Sequence, residues 1–174
     1  MIITNNEAIL RTKCDNVLPE EVGDLILALE TELNYANRLG KNGIGLAAPQ
    51  IGIFKNIAIV RLGDININLI NCTLNKGYDP KTFTDEGCLS FPGRVENTTR
   101  FQEVYVTNNL TYPYSFIATG LFAVVCQHEM DHLNSTLFFD HKIKETVSAL
   151  KNKVRPNDLC ICGSQIKFKK CCGR

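Results

Sequence analysis

The chain has 174 residues, 44% of them hydrophobic and 21% charged, with a formal net charge of +1. That balance fits a soluble globular protein of about one domain and excludes an intrinsically disordered chain. No apolar run reaches about 18 residues, so no membrane-spanning helix and no membrane partner are expected.

The opening Met1-Ile-Ile-Thr-Asn-Asn-Glu7 has no basic stretch leading into an apolar one, so a cytoplasmic setting with reduced thiols is expected. Val22, Leu25, Ile26, Leu29, Leu33 and Ala36 recur at spacings of three and four, which predicts a helix from about Pro19 to Leu39. Pro19, Glu20 and Glu21 suit its first turn, and Gly40 suits its end. The stretch from Gly43 to Gln50 is too rich in glycine, and too interrupted by Pro49, to predict a regular element. Strands are predicted from Asn56 to Leu62 and from Ile65 to Leu74, separated by Gly63-Asp64. Gly77 to Thr84 is predicted as a polar loop. Further strands are expected from Val95 to Leu110 and from Tyr114 to Thr119, with a short turn around Tyr112-Pro113. Gly120 to Leu133 predicts a strong helix, and Lys144 to Val154 a short one. Strands followed by an important helix imply an α+β domain with the helix packed on sheets.

The helix from Gly120 to Leu133 carries the clearest chemistry. His128 and His132 are four residues apart, so both imidazoles lie on one helical face and can hold one metal ion. Glu129 follows His128 directly and can reach a water on that metal, the mechanical content of His-Glu-x-x-His. The chain has three histidines, and two of them occupy this spacing. His141 has no such partner and reads as a plain surface residue. A catalytic site needs a third protein ligand. His141, Asp140 and Glu145 lie close behind the helix and are poorly placed to fold back; Cys88, in Glu86-Gly-Cys-Leu-Ser90, is a further candidate. Cys126 reads instead as a small core residue on the other side of the helix.

The C-terminal segment differs from the rest. From Lys151 to Arg174 there are seven Lys/Arg against one acid, Asp158, which leaves +6; the remaining 12 basic and 17 acidic residues leave −5. A basic segment on an acidic body suggests an anionic partner such as nucleic acid or a ribonucleoprotein surface. Cys160, Cys162, Cys171 and Cys172 place four thiolates within thirteen residues, a count that suits a closed tetrahedral zinc site. A segment this short cannot build a core, so metal would supply its folding energy.

Gly43-Ile-Gly-Leu-Ala-Ala-Pro-Gln50, Glu86-Gly-Cys-Leu-Ser90 and Gln127-His-Glu-Met-Asp-His-Leu133 together resemble the three motifs of the peptide deformylases, in the same order. The resemblance covers about residues 1–150 and implies mixed or antiparallel sheets packed around the metal-binding helix. It implies metal ligation by Cys88, His128 and His132, with Glu129 as general base and then general acid. It makes the Gln50 side-chain amide and the Leu89 N–H the oxyanion donors. The backbone of Gly43, Ile44 and Gly45 would pair with the substrate as an added strand. A methionine pocket would be lined partly by Ile44, Leu121, Val124 and Val125. The implied activity is hydrolysis of the formyl group from formyl-methionyl nascent peptides. The donor set accepts Fe²⁺, Zn²⁺, Ni²⁺ or Co²⁺, and the resemblance favours Fe²⁺. Ser135, Asn71-Cys72-Thr73 and the short Tyr112-Pro113 turn depart from the usual family pattern without touching the catalytic groups.

Residues 155–174 resemble a SEC-C motif, a small zinc module that serves for docking. Its basic side chains suit ribosomal RNA or a ribosome-associated partner. Two other readings use the same residues. A general metallopeptidase would share the metal helix but gives Gln50 and Cys88 no role. An inactive deformylase-fold binding protein would hold metal without turnover.

Overall fold

The computed structural model describes residues 1–143, 155–159 and 166–170. The chain divides into two compact units, Met1–Lys142 and Ile143–Arg174. No helix among the described residues is long and apolar enough to cross a membrane.

The first unit opens with a one-turn helix, α1 (Glu7–Leu10), which the apolar periodicity does not reveal because four residues are too few to show it. The Asn6 side chain accepts the Ile9 N–H at 3.2 Å and caps this turn. The segment from Pro19 begins as a 3-10 turn over Pro19–Glu21 and continues as α2 (Val22–Arg38). Leu29, Leu33 and Ala36 form its buried face. Gly40 follows with φ +77°, the left-handed conformation that ends many helices.

Two antiparallel three-stranded sheets follow. The first contains β1 (Gly45–Ala47), β2 (Ile57–Leu62) and β3 (Ile65–Ile70), in that order. The second contains β4 (Thr73–Gly87), β5 (Val95–Thr107) and β6 (Ser115–Thr119). The helix α3 (Gly120–Leu133) comes last. The α+β architecture expected from the element order is the one observed.

β2 explains how α3 is held. Its first four residues are fully buried, because both faces of the sheet are covered. Ile57 and Ile59 pack with Leu29 and Leu33 of α2, whereas Ala58 and Val60 pack with Ala123, Cys126 and Met130 of α3. A strand's alternation sends its side chains to the two layers in turn. Val104 and Val106 of β5 and Ala118 of β6 close the core around α3.

Three boundaries differ from the sequence reading. The Gly43–Gln50 stretch holds β1 and a 3-10 turn over Ala48–Ile51, both too short for periodicity to detect. The run from Ile65 is two strands, not one. Asn71, at φ +47°, turns the chain, and its side chain bonds both the N–H (2.8 Å) and the C=O (3.0 Å) of Val17. The polar loop expected at Gly77 to Thr84 is instead the middle of β4, paired along β5 from Thr73↔Thr107 to Gly87↔Val95. Most of that stretch is exposed, so no apolar alternation marks it. The Tyr112-Pro113 peptide in the β5–β6 turn is cis.

In the second unit, Leu159 and Lys167 form an antiparallel bridge, and Phe168–Lys170 make a 3-10 turn with Phe168 buried. The Phe168 N–H donates to the Asp158 C=O at 2.8 Å and the Lys169 N–H to the Pro156 C=O at 3.0 Å. The helix expected from Lys144 to Val154, and Cys160, Cys162, Cys171 and Cys172, lie outside the described residues.

Candidate active site

α3 projects His128 and His132 from one face, with ring centroids 5.1 Å apart. Cys88 reaches the same place from the turn that follows β4. One ligating atom from each of the three residues lies within 4.8 Å of the other two. Cys88 Sγ is 3.3 Å from His132 Nε2. Neither of the other two candidates among the described residues joins the cluster. Asp140 pairs with Arg11, and His141, outside the cluster as expected, has its Nε2 3.0 Å from Asp131 Oδ2. Glu145 lies outside the described residues. Cys126 is fully buried among core residues, and burial pushes its thiol far above the ordinary range, as an inert cysteine requires.

Behind the ligands stands a buried ion network that motif reading misses. Glu86 Oε1 is 2.7 Å from His128 Nδ1 and so fixes the ring with Nε2 toward the cluster. Arg100, 2% exposed, donates from Nε and Nη2 to Glu86 at 2.9 and 2.6 Å, and from Nη1 to Asp131 at 2.6 Å. The Thr98 hydroxyl also donates to Glu86. Burial works to raise the Glu86 carboxyl, but the hydrogen bonds from His128 and Arg100 prevail and hold it at about 2. The only sequence signal was a charged residue directly before Gly87-Cys88; nothing marked Arg100 as buried.

Burial also lowers both imidazoles. Cys88 and Glu86 outweigh it at His128 and raise that ring well above its ordinary range. At His132, His128 and Arg100 add to burial and hold the ring well below it, in the neutral form that ligates metals. Glu129 is 4% exposed, and burial pushes its carboxyl up to about 7, with His128 opposing and Asp131 and Glu86 reinforcing. Glu129 Oε2 and His132 Nδ1 are buried without a hydrogen-bond partner among the described residues. A thiolate and two imidazoles are donors that divalent transition metals accept, and an orphaned carboxylate oxygen beside them suits a hydrated ion. The residues therefore fit one divalent metal.

The cluster borders a cavity of about 480 Å³. Gly43, Ile44 and Gly45 line one wall, and Leu121, Val124 and Val125 of α3 another. Gln50, Cys88, Leu89, His128 and Glu129 complete its inner end. Gly45 needs its missing side chain, because a Cβ there would overlap the Glu129 carboxylate. The Gln50 amide is held on both sides. Its Oε1 accepts the Ala47 N–H at 2.8 Å, and its Nε2 donates to Ser90 Oγ at 3.1 Å and toward Cys88 Sγ at 3.4 Å. The Leu89 N–H makes no hydrogen bond among the described residues. The N-terminal segment braces the two loops from behind. The Ile3 N–H donates to the Gln50 C=O at 2.7 Å and the Asn5 N–H to the Ser90 C=O at 2.9 Å.

Comparison with known proteins gives the same picture for most of the chain. The family model described as polypeptide deformylase matches residues 1–148, and the SEC-C motif matches residues 157–174. The chain is 35% identical over 141 residues to the peptide deformylase of Clostridium botulinum, covering 80% of this chain and 93% of that one. It is 37% identical over 141 residues to peptide deformylase 1 of Bacillus subtilis, covering 79% and 86%. Among solved structures, the peptide deformylase of Thermotoga maritima aligns with a TM-score of 0.72 at 28% identity, covering 83% of this chain and 97% of that one. The peptide deformylase of Synechococcus elongatus in complex with actinonin aligns with a TM-score of 0.73 at 32% identity, covering 88% and 85%.

Proposed function

The chain belongs to the polypeptide deformylase family, and we propose that it removes the formyl group from the N-terminal formylmethionine of new polypeptides, releasing formate. The observation that carries this reading is the convergence of Cys88, His128 and His132 beside the unpartnered carboxylate oxygen of Glu129, at the end of a cavity lined by Gly45 and Gln50. Cys88, His128 and His132 would hold the catalytic ion. The donor set accepts several divalent ions, and Fe²⁺ is the one we assign. Such an ion lowers the pKa of water and polarises a carbonyl oxygen.

The protein residues supply the remainder. Glu129 takes the proton of the attacking water on its carboxylate and returns it to the amine that leaves, so the formyl C–N bond breaks to formate and a free α-amine. Burial makes it a carboxyl able to hold that proton near neutrality. The Gln50 Nε2–H and the Leu89 N–H face the formyl oxygen as negative charge develops there. Gly45, on the open edge of its sheet, pairs with the peptide backbone, and Ile44, Leu121, Val124 and Val125 receive the methionine side chain.

We assign the catalytic domain to residues 1–150 and a zinc module to residues 155–174, where Cys160, Cys162, Cys171 and Cys172 would hold the ion. The net charge of +6 over residues 151–174 supports a ribosomal or ribosome-associated partner. A substrate made on ribosomes places the protein in the cytoplasm. Co-sedimentation with ribosomes should weaken when residues 155–174 are deleted; equal pelleting of both forms removes the tail from this role. The activity is tested by formate release from a formyl-Met peptide, with protein purified without oxygen. Turnover is expected in the wild-type chain and absent from Glu129→Gln. No turnover by a chain verified to carry Fe²⁺ or Ni²⁺ would reject the assignment.

A further inference from the structure

Gly43 stands where the connection from α2 meets the cavity, and one side chain engages both of its backbone polar groups. The Gly43 N–H donates to Asn37 Oδ1 at 2.6 Å, and Asn37 Nδ2 donates to the Gly43 C=O at 2.9 Å. A single amide thus makes the pair of hydrogen bonds that a neighbouring strand would make. The sequence reading assigned those Gly43 groups to the substrate; Asn37 already holds them.

Asn37 is itself firmly placed. It lies in the last turn of α2, where its own C=O accepts the Gly40 N–H at 2.9 Å and the Ala36 C=O accepts the Lys41 N–H at 3.2 Å. With Gly40 left-handed, these two bonds form a Schellman cap. The cap fixes the helix end, and the Asn37 amide carries that fix across to Gly43. The glycine is also wedged between side chains. A Cβ there would stand 2.7 Å from Leu89 Cδ1 and 2.8 Å from Leu33 Cδ1.

Two residues on, Gly45 abuts Glu129. The Ala47 N–H points away from β2, to Gln50 Oε1. By the two-residue alternation of a strand, the Gly45 N–H and C=O face the same way, along the open edge of the sheet. The placement of that edge is therefore set at one end by Gln50 and at the other by Asn37.

We propose that Asn37 is a positioning residue for deformylation: through Gly43 it holds the Gly43–Gly45 edge in place for the peptide backbone, beside Leu89 and Glu129. This role rests on the deformylase reading. Asn37 touches no reacting atom and acts through the glycine.

The test compares the full chain with Asn37→Ala and Asn37→Asp, measuring formate release from formyl-Met-Ala-Ser and from formyl-Met. Amide hydrogen exchange at Gly43 is followed in parallel. Asn37→Ala removes both hydrogen bonds, so KM for the tripeptide should rise about tenfold while kcat stays within about twofold. KM for formyl-Met, which has no peptide backbone beyond the methionine, should stay within about twofold, and Gly43 exchange should quicken about tenfold or more. Asn37→Asp keeps the acceptor for the Gly43 N–H and loses the donor, so it should fall between. Arg38→Ala, exposed on the same helical turn, should match the wild type. Equal losses on both substrates would indicate general destabilisation and overturn the proposal. Unchanged constants would overturn it too, as would a lower tripeptide KM from a freed Gly43. A wild-type chain that turns over neither substrate overturns the deformylase reading instead, and this role with it.

Discussion

Gln50 shows how much a single side chain does in this site. Its Oε1 is tied to Ala47 and its Nε2 to Ser90, so the amide can neither flip nor drift. A donor fixed before the reaction is worth more than one that must be oriented during it. Gln50→Ala should therefore lower kcat by about 10²–10³-fold with the metal still bound, measured by formate release and metal content together. Glu86 acts one bond further back. It orients His128 through Nδ1 and is itself held by Arg100. Glu86→Gln weakens that hold and deprives buried Arg100 of a charge partner. Metal affinity should fall by about 10–100-fold, read by competition with a chelator, and an unchanged affinity would remove Glu86 from the site.

At the scale of elements, the site depends on a contact between β1 and α3. Gly45 lets the strand approach until only the Glu129 carboxylate lies between it and the helix. In Gly45→Ala the added methyl must displace that carboxylate, because the Ala123 and Met130 side of α3 is locked in the core. Activity should drop by about 10²-fold while circular dichroism stays unchanged, since a small misplacement of a reacting group costs that much. Wild-type activity in this variant would mean that Glu129 has room to move. The His-Glu-x-x-His spacing was legible because helical geometry follows from sequence spacing alone. The β1 edge was not, because a three-residue strand has no period to recognise. The middle of β4 was hidden for the opposite reason: it is long, but mostly exposed, so nothing in its composition separates strand from loop.

For the first unit as a whole, Arg11 and Asp140 join the N-terminal segment to the turn after α3, with nitrogen–oxygen distances of 2.6 and 2.8 Å. The Asp140 carboxyl is held below its usual range, first by its hydrogen bond to Arg11. A carboxyl lowered in the folded state stabilises above its unfolded pKa, and that contribution is lost as pH falls through the folded value. The extra stability should thus be intact at neutral pH and disappear below about pH 4. Both groups are partly exposed, so Asp140→Asn should cost only about 0.5 kcal/mol at pH 7, read from thermal or denaturant melts. The difference from wild type should shrink as the pH is lowered through that range. Metal should act more strongly on the same melts. Ligands brought from the turn after β4 and from α3 bind an ion only when both are in place, so adding Fe²⁺ or Ni²⁺ should raise Tm in the wild-type chain and not in Cys88→Ser.

The sequence alone determined the chemistry that lies within single segments. Two histidines four apart and a glutamate between them place the metal-binding groups on one helical face, and the three motifs pointed to the family. β-branched richness was enough for β2 and the start of β3, and spacings of three and four for the apolar face of α2, because burial imprints itself on local composition and spacing. What only the tertiary structure decided is which distant groups meet. Arg100 looked like any strand arginine until α3 and β4 closed over it, and Asn37 like any exposed helix residue until the chain folded back six positions later. Hydrogen bonds and ion pairs of this kind leave no periodic trace, since they depend on one atom reaching another across space and not on a repeating pattern of apolar residues along the chain.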